Sequence, residues 1–207
     1  CMYSGIINVG ILTQYSPVSL LKHIKTGQTW DLDRRQSGVQ VLQPYVHRGD
    51  SNWYQGTADA IVQNLHFLHS CREEYVIILS GDHVYFMNYQ KMLDSHIQKN
   101  ADISLAVASA SMQDAKRFGV LTMDNSGKVT SFVEKPQQPS SSLVSMGIYM
   151  CKRTYLIEAM ERLKKEKKYD MVYDLLLPAV DEGRVYGYGF NGYWKDIGTI
   201  KSYYQTN

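Results

Sequence analysis

Five residues of apolar character, Tyr75-Val-Ile-Ile-Leu79, run without interruption into Ser80-Gly-Asp-His83. A continuous apolar strand that follows an amphipathic helix points to a sheet covered on both faces, and so to an α/β fold. The abrupt stop on a carboxylate is the second constraint. In open α/β sheets, ligands sit beyond the carboxyl ends of the strands, where Asp82 is expected, with Gly81 leaving room for a close approach. A carboxylate there suits Mg²⁺, which takes oxygen ligands and often bridges to phosphates. The competing reading is an aspartate that caps a turn. His83 has no His or Cys partner at metal-ligand spacing nearby, so it reads as a packing or hydrogen-bonding group.

The segments around this strand keep to the same fold class. Residues 56–71 (GTADAIVQNLHFLHSC) read as one helix, with Ile61, Leu65 and Leu68 on one face and Asp59 in the first turn, where the helix dipole favours an anion. Ser16 and Pro17 look like the N-cap and first residue of an earlier helix. Residues 25–52 read as a long polar loop with one extended piece, VQVLQPYV, inside it. Further on, YQKMLDSHIQKN is a helix and ADISLAVAS a strand. FGVLTMDNSGKVTSFVEKP is a hairpin turning at Asp-Asn-Ser-Gly. Residues 154–168 form an amphipathic helix with Leu156, Met160 and Leu163 inward, and its lysine run is a solvated end. Thr199 is placed to cap a last helix.

Composition closes off several function classes. A net charge of +2 gives no reason to expect nucleic acid or an anionic membrane as partner. Cys1, Cys71 and Cys151 are odd in number and far apart, which argues against a disulfide framework. No apolar run approaches the roughly 18 residues of a membrane span. The 207 residues suffice for one substantial core, and we read one three-layer domain over 1–207. The start at Cys1, in wording that already reads like the middle of a domain, leads us to expect a piece of a longer protein.

Three more places carry potential chemistry. Gly56 precedes a helix whose free N–H groups would attract anions or polar base edges, although taken by itself the segment reads first as a glycine turn with a Thr57 N-cap. Glu134-Lys135-Pro136 ends a strand. Two readings stand: an exposed strand terminus and nothing more, or a strand end presenting Glu134 to sugar hydroxyls and Lys135 to a phosphate, for which lysine acts as a point charge. Asp196, in Tyr-Trp-Lys-Asp-Ile-Gly-Thr, repeats the theme of Asp82, a carboxylate beside a glycine turn. If the two meet in space, they make a two-carboxylate Mg²⁺ site. No GxGxxG and no GxxxxGK[ST] occurs in the chain.

Taken jointly, the segments GIINVGILTQYSPVSLLKHI, WYQGTADAIVQNL, ILSGDHVY, FGVLTMDNSGKVTSFVEKP, LVSMGIYM and YWKDIGTIKSYYQTN resemble the sugar-1-phosphate nucleotidyltransferase family, in order and nearly in wording. They are most similar to the branch that joins ATP and glucose 1-phosphate. The resemblance implies a Rossmann-like nucleotidyltransferase domain with a mixed, mostly parallel sheet. It also implies that the family's N-terminal Gly-rich loop and C-terminal β-helix lie outside this chain, which alone is then not a competent enzyme. By the same resemblance, Asp82 and Asp196 bind Mg²⁺ and support catalysis. Tyr54, Gly119, Glu134, Lys135 and Ser145 contact glucose 1-phosphate, and Gly56 and Thr57 hold the nucleotide. The implied reaction gives ADP-glucose and pyrophosphate, for glycogen or starch synthesis, in an allosteric homotetramer of the bacterial cytoplasm or, in a plant, the plastid. The alternatives are a non-catalytic regulatory subunit and an enzyme using another nucleoside triphosphate. Phe86 and Asn88 stand where members commonly have Lys and Asp, and YDMVYDLLLP matches its segment only loosely.

Overall fold

The computed structural model describes residues 4–15, 17–33, 38–44 and 53–206. The first half of the chain forms β1 (Asn8–Leu12), α1 (Val18–Ile24), β2 (Gly38–Leu42), α2 (Thr57–Gln63), α3 (Leu65–Ser70), β3 (Tyr75–Ile78), β4 (His83–Tyr85) and α4 (Tyr89–Gln98). The second half forms β5 (Ile103–Ser109), α5 (Met112–Ala115), β6 (Gly119–Met123), β7 (Val129–Glu134), β8 (Leu143–Lys152), α6 (Arg153–Glu166), α7 (Leu177–Asp181), β9 (Val185–Gly189), β10 (Trp194–Asp196) and α8 (Ile200–Thr206). Two compact units result. One comprises Cys1–Glu74 with Arg153–Leu175, the other Tyr75–Lys152 with Leu176–Asn207.

In the first unit β1 and β2 pair in parallel, Asn8 opposite Gly38 through to Leu12 opposite Leu42. The extended piece expected within the 25–52 loop is therefore β2. Pro17 occupies the N-cap position of α1 and not its first turn. The proposed cap Ser16 lies outside the described residues. The helix expected over 56–71 is two helices. Asn64 interrupts it with φ −113° and ψ 22°, and its side-chain amide donates to the Ala60 carbonyl at 2.9 Å and to the Tyr54 hydroxyl at 3.0 Å. A side chain that bonds its own backbone competes with the helix ladder, and here it wins. Both helices pack on α6, whose Leu156, Met160 and Leu163 are buried as the periodicity requires. Burial of each such side chain contributes about 1.5–3 kcal/mol.

The second unit is built around β8. One edge of this ten-residue strand pairs with β5, and the other pairs with β3 along residues 149–152 and with β6 at Val144. The sheet runs β7–β6–β8–β5–β9, with β3 beside β8. It is mixed, as expected, but its balance differs from a mostly parallel sheet. Only β5–β9 is parallel within it, because β8 returns against three neighbours and β6–β7 is a tight hairpin. That hairpin turns on Asp124, whose Oδ1 accepts from the Ser126 and Lys128 N–H groups at 2.8 and 3.0 Å. These bonds, with the Ser126 hydroxyl first among them, hold the Asp124 carboxyl below its ordinary value. The four residues of β3 are each partly exposed, so this strand is less fully covered than its apolar run suggests.

The core of this unit includes Leu105, Leu121, Met146 and Ile148, none of them measurably exposed. It also holds one histidine. His96 on α4 is 1% exposed. Its Nδ1 lies 2.8 Å from the Ser104 hydroxyl on β5, and Tyr75 meets its ring edge-on at 5.6 Å. Nε2 has no hydrogen-bond partner among the described residues. Burial, helped by the charge of Lys152, lowers the pKa of His96. The unfolded chain takes up a proton near 6.5, whereas the folded core resists it until lower pH. Stability from this residue is thus complete above pH 6.5 and declines as pH falls through that value. The thermal midpoint is expected to drop from pH 7 to pH 5, and His96→Gln should flatten that slope. An unchanged slope in the variant would show that His96 does not carry it.

Cys71 and Cys151 are free thiols. Burial pushes the Cys151 thiol up to about 12, which leaves it unreactive at neutral pH. Among the described residues no helix is long and apolar enough to cross a membrane.

Candidate metal centre and substrate-binding residues

Asp82 sits in the turn between β3 and β4, and Asp196 is the last residue of β10. The two strands form an antiparallel ribbon in which Asp196 lies opposite His83, Lys195 opposite Val84 and Trp194 opposite Tyr85. This register sets Asp196 one position from Asp82 across the ribbon. A backbone bond from the Ile197 N–H to the Asp82 carbonyl, 3.0 Å, continues the pairing past the strand end. One ligand atom from each of Asp82, His83 and Asp196 falls within 4.8 Å of the others. The carboxylates expected from sequence to converge do so.

Each side chain of the cluster is held from behind. Ser80 Oγ donates to Asp82 Oδ1 at 2.5 Å, and the Asp82 side chain is otherwise 62% exposed. The indole N–H of Trp194 donates to His83 Nδ1 at 3.4 Å, with the rings edge-to-face at 5.5 Å. Trp194 in turn packs on the cluster of Ala115, Val120 and Val144 and lies 5.0 Å from the Phe118 ring. His83 is therefore packed and hydrogen-bonded, as expected. With Nδ1 accepting from Trp194, the neutral ring carries its proton on Nε2, which faces Asp82 Oδ1 at 3.7 Å and is not available as a metal ligand. Its position opposite Asp196 depends on strand pairing and is not legible along the chain. Two carboxylates suit a divalent cation such as Mg²⁺, and the exposure of Asp82 leaves room there for further oxygen ligands.

Asp196 has a second neighbour that the sequence reading did not single out. Arg117, between α5 and β6, donates from Nη2 to Asp196 Oδ2 at 2.6 Å. Its guanidinium carbon stands 5.6 Å from the Phe118 ring centroid. Gly198 permits this approach, since a Cβ there would lie 3.1 Å from Asp196 Oδ2 and 3.4 Å from Arg117 Nη2.

The other expected contact residues of this unit are grouped by the hairpin and by β8. Gly119 opens β6 directly opposite Glu134, which closes β7. A side chain at Gly119 would collide with the Phe132 ring. Lys135 follows in the left-handed region, φ 45°, a conformation that costs a non-glycine residue roughly 1–3 kcal/mol. A bond from its N–H to the Phe118 carbonyl, 3.1 Å, holds it there. Its side chain is 66% exposed, and its ammonium lies 3.6 Å from Glu134 Oε1. Ser145 is buried in β8, where its Oγ accepts from the Gly147 N–H at 3.1 Å. Gly147 itself has φ +65°, and a Cβ on it would sit 3.6 Å from the His83 ring and 3.9 Å from Ser80. That places β8 against the Asp82–His83–Asp196 cluster.

Tyr54, Gly56 and Thr57 belong to the first unit. The Tyr54 hydroxyl donates to the Leu42 carbonyl at 3.3 Å and accepts from Asn64. The helix start after Gly56 does not present the free donors expected of it. The Ala58 and Asp59 N–H groups both point to the Tyr169 carbonyl, at 2.9 and 3.4 Å, and Asp59 Oδ2 accepts from the Gln55 N–H at 2.9 Å. Nor is Thr57 the N-cap. Gly56 holds that position, and Thr57 Oγ1 accepts from the Met171 N–H at 3.2 Å. The loosely matching segment YDMVYDLLLP is ordered by its own aspartates. Asp170 Oδ1 accepts from the Val172 and Tyr173 N–H groups, and Asp174 Oδ2 from those of Tyr169 and Asp170. Asn88, the other departure, caps α4 by accepting from the Gln90 N–H at 2.9 Å, a task Asp would perform in the same way.

The nucleotidyl transferase family matches residues 1–207, the whole of the chain. This chain belongs to that family. Proteins named glucose-1-phosphate adenylyltransferase are similar to it throughout. That of Lachnospira eligens is 47% identical over 208 residues, covering 100% of this chain and 49% of the relative. That of Clostridium acetobutylicum is 45% identical over 210 residues, covering 100% and 55%. That of Bacillus mycoides is 48% identical over 210 residues, covering 100% and 56%. The chain thus spans about half the length of the curated relatives it matches. As a member of the nucleotidyl transferase family, the chain carries the ribbon and its acidic cluster within the matched residues.

Proposed function

We propose that this chain supplies part of the catalytic domain of an enzyme that transfers an adenylyl group from ATP to glucose 1-phosphate, giving ADP-glucose and pyrophosphate. The observation that carries the reading is the meeting of Asp82 and Asp196 across the β4–β10 ribbon in a chain matched end to end by the nucleotidyl transferase family. The names of the similar proteins support the choice of substrates.

The reaction joins two anions. A phosphate monoester has its second pKa near ~6, so the sugar phosphate is largely dianionic at neutral pH and needs little general-base help. It needs charge neutralisation and alignment, since like unit charges ~4 Å apart repel by about 4 kcal/mol at an effective dielectric near 20. Asp82 and Asp196 would hold Mg²⁺, which when bound neutralises phosphate charge and orients an in-line displacement. Lys135 is exposed and pre-set by its backbone, and we assign it the sugar phosphate. Glu134 and the backbone at Gly119 and Ser145 would read the sugar hydroxyls. Tyr54 joins the sugar-phosphate set, and Gly56 and Thr57 the nucleotide set, on the strength of the family resemblance. The same resemblance supports a homotetrameric, allosteric full-length protein of the bacterial cytoplasm serving glycogen synthesis.

In the full-length protein, Lys135→Ala should raise the Michaelis constant for glucose 1-phosphate by about 10- to 100-fold, the cost of losing a charged hydrogen bond of roughly 1.5–3 kcal/mol, and leave that for ATP nearly unchanged. Equal effects on both would remove Lys135 from the sugar-phosphate site. ADP-glucose formation, measured as pyrophosphate release with each nucleotide in turn, tests the whole reading, and a clear preference for UTP, dTTP or GTP over ATP would overturn the adenylyl assignment.

A further inference from the structure

Arg117 does more in this site than pack on Phe118. It holds a charged hydrogen bond of 2.6 Å to the one carboxylate of the cluster that is largely buried, with the Asp196 side chain 14% exposed. We infer that Arg117 is a built-in counter-cation that competes with the divalent ion for Asp196. The inference rests on the reading of Asp82 and Asp196 as metal ligands.

The charge balance supports it. Two carboxylates and one guanidinium leave the cluster with one net negative charge, a weak attraction for a free divalent cation. With Arg117 displaced, two negative charges face the ion. The Arg117 side chain is itself 41% exposed, so its guanidinium can swing toward solvent without leaving a buried charge unpaired. Gly198 adds to the argument. Its missing Cβ leaves space beside both Asp196 oxygens and Arg117 Nη2, so the pair is not sterically locked. A phosphate-bearing substrate would offer Arg117 a second anion at the moment the ion needs Asp196. The protein would then take up the ion together with an anionic substrate and bind it weakly beforehand.

The test is the binding of Mn²⁺ alone, without nucleotide, to the full-length protein, followed by the paramagnetic resonance signal of the free ion. Arg117→Met keeps the apolar stem over Phe118 and removes the charge. It should tighten Mn²⁺ binding by about two- to fivefold, the range set by an ion pair of this exposure. Arg117→Lys keeps a charge without the planar fork and should lie between wild type and Met. Asp196→Asn should weaken binding. Equal affinity in wild type, Met and Lys variants, with Asp196→Asn weakened, overturns the role of Arg117 and leaves the metal site standing. Wild-type affinity in Asp196→Asn overturns the metal site, and the inference with it.

Discussion

Asp82→Asn in the full-length protein is expected to lower kcat by about 10²–10³-fold, the usual consequence of removing one preorganised electrostatic partner of a transferring group. The substitution takes away charge at constant size. The amide oxygen of Asn still accepts from Ser80 Oγ, so the turn between β3 and β4 keeps its local bond. Because the Asp82 side chain is 62% exposed, its folded environment differs little from water, and the thermal midpoint should stay within about 1 °C of wild type, as surface changes commonly do. Loss of turnover with folding intact is the signature of a role in charge neutralisation. Wild-type turnover in this variant would remove Asp82 from the metal site.

Gly56→Ala has its large effect on stability. A Cβ at this position falls on the carbonyl oxygen of Tyr169 and lies 2.8 Å from its carbonyl carbon. These are backbone atoms, so no side-chain rotation relieves the contact. The same carbonyl accepts the first N–H groups of α2, from Ala58 and Asp59. Moving it breaks those bonds and disturbs the segment that Asp170 and Asp174 hold together. A loss of about 2–3 kcal/mol is expected, the upper range for overpacking, read from urea unfolding. Gly81→Ala is the internal comparison, because nothing lies within 4 Å of a Cβ there. Equal stability of the two variants would show that the close approach of Gly56 to Tyr169 is not a constraint.

The local features of this fold could be read from the residues themselves. The hairpin at Asp124 follows from its turn chemistry, and the buried stripe of α6 from its spacing. The Thr199 cap also holds, since Thr199 Oγ1 accepts from the Ser202 N–H at 3.0 Å. What could not be read depends on contacts remote in sequence. The break in the 56–71 helix is the nearer case, since the Asn64 amide bonds both the Ala60 carbonyl and the Tyr54 hydroxyl, which lies ahead of the helix. The occupied helix start after Gly56 needs Tyr169, far along the chain. Asp82 and Asp196 were visible as matching carboxylates beside glycine turns, and the resemblance to a known family paired them. Arg117 was not visible, because Asp-Ala-Lys-Arg-Phe-Gly carries no spacing that marks a site, and the packing of Trp194 on Phe118 is what sets β10 beside it. His83 stands opposite Asp196 through the register of β10 on β4.

The β4–β10 ribbon makes the acidic cluster tolerant of one kind of change and intolerant of another. Its spacing is dictated by main-chain pairing, so substitutions along either strand can vary widely while the two carboxylates stay in step. Length is different. A single residue inserted or deleted in either strand would send every following side chain to the opposite face, parting Asp196 from Asp82 with no amino acid of the pair exchanged. Diversity in this part of the molecule is thus free in its letters and fixed in its count.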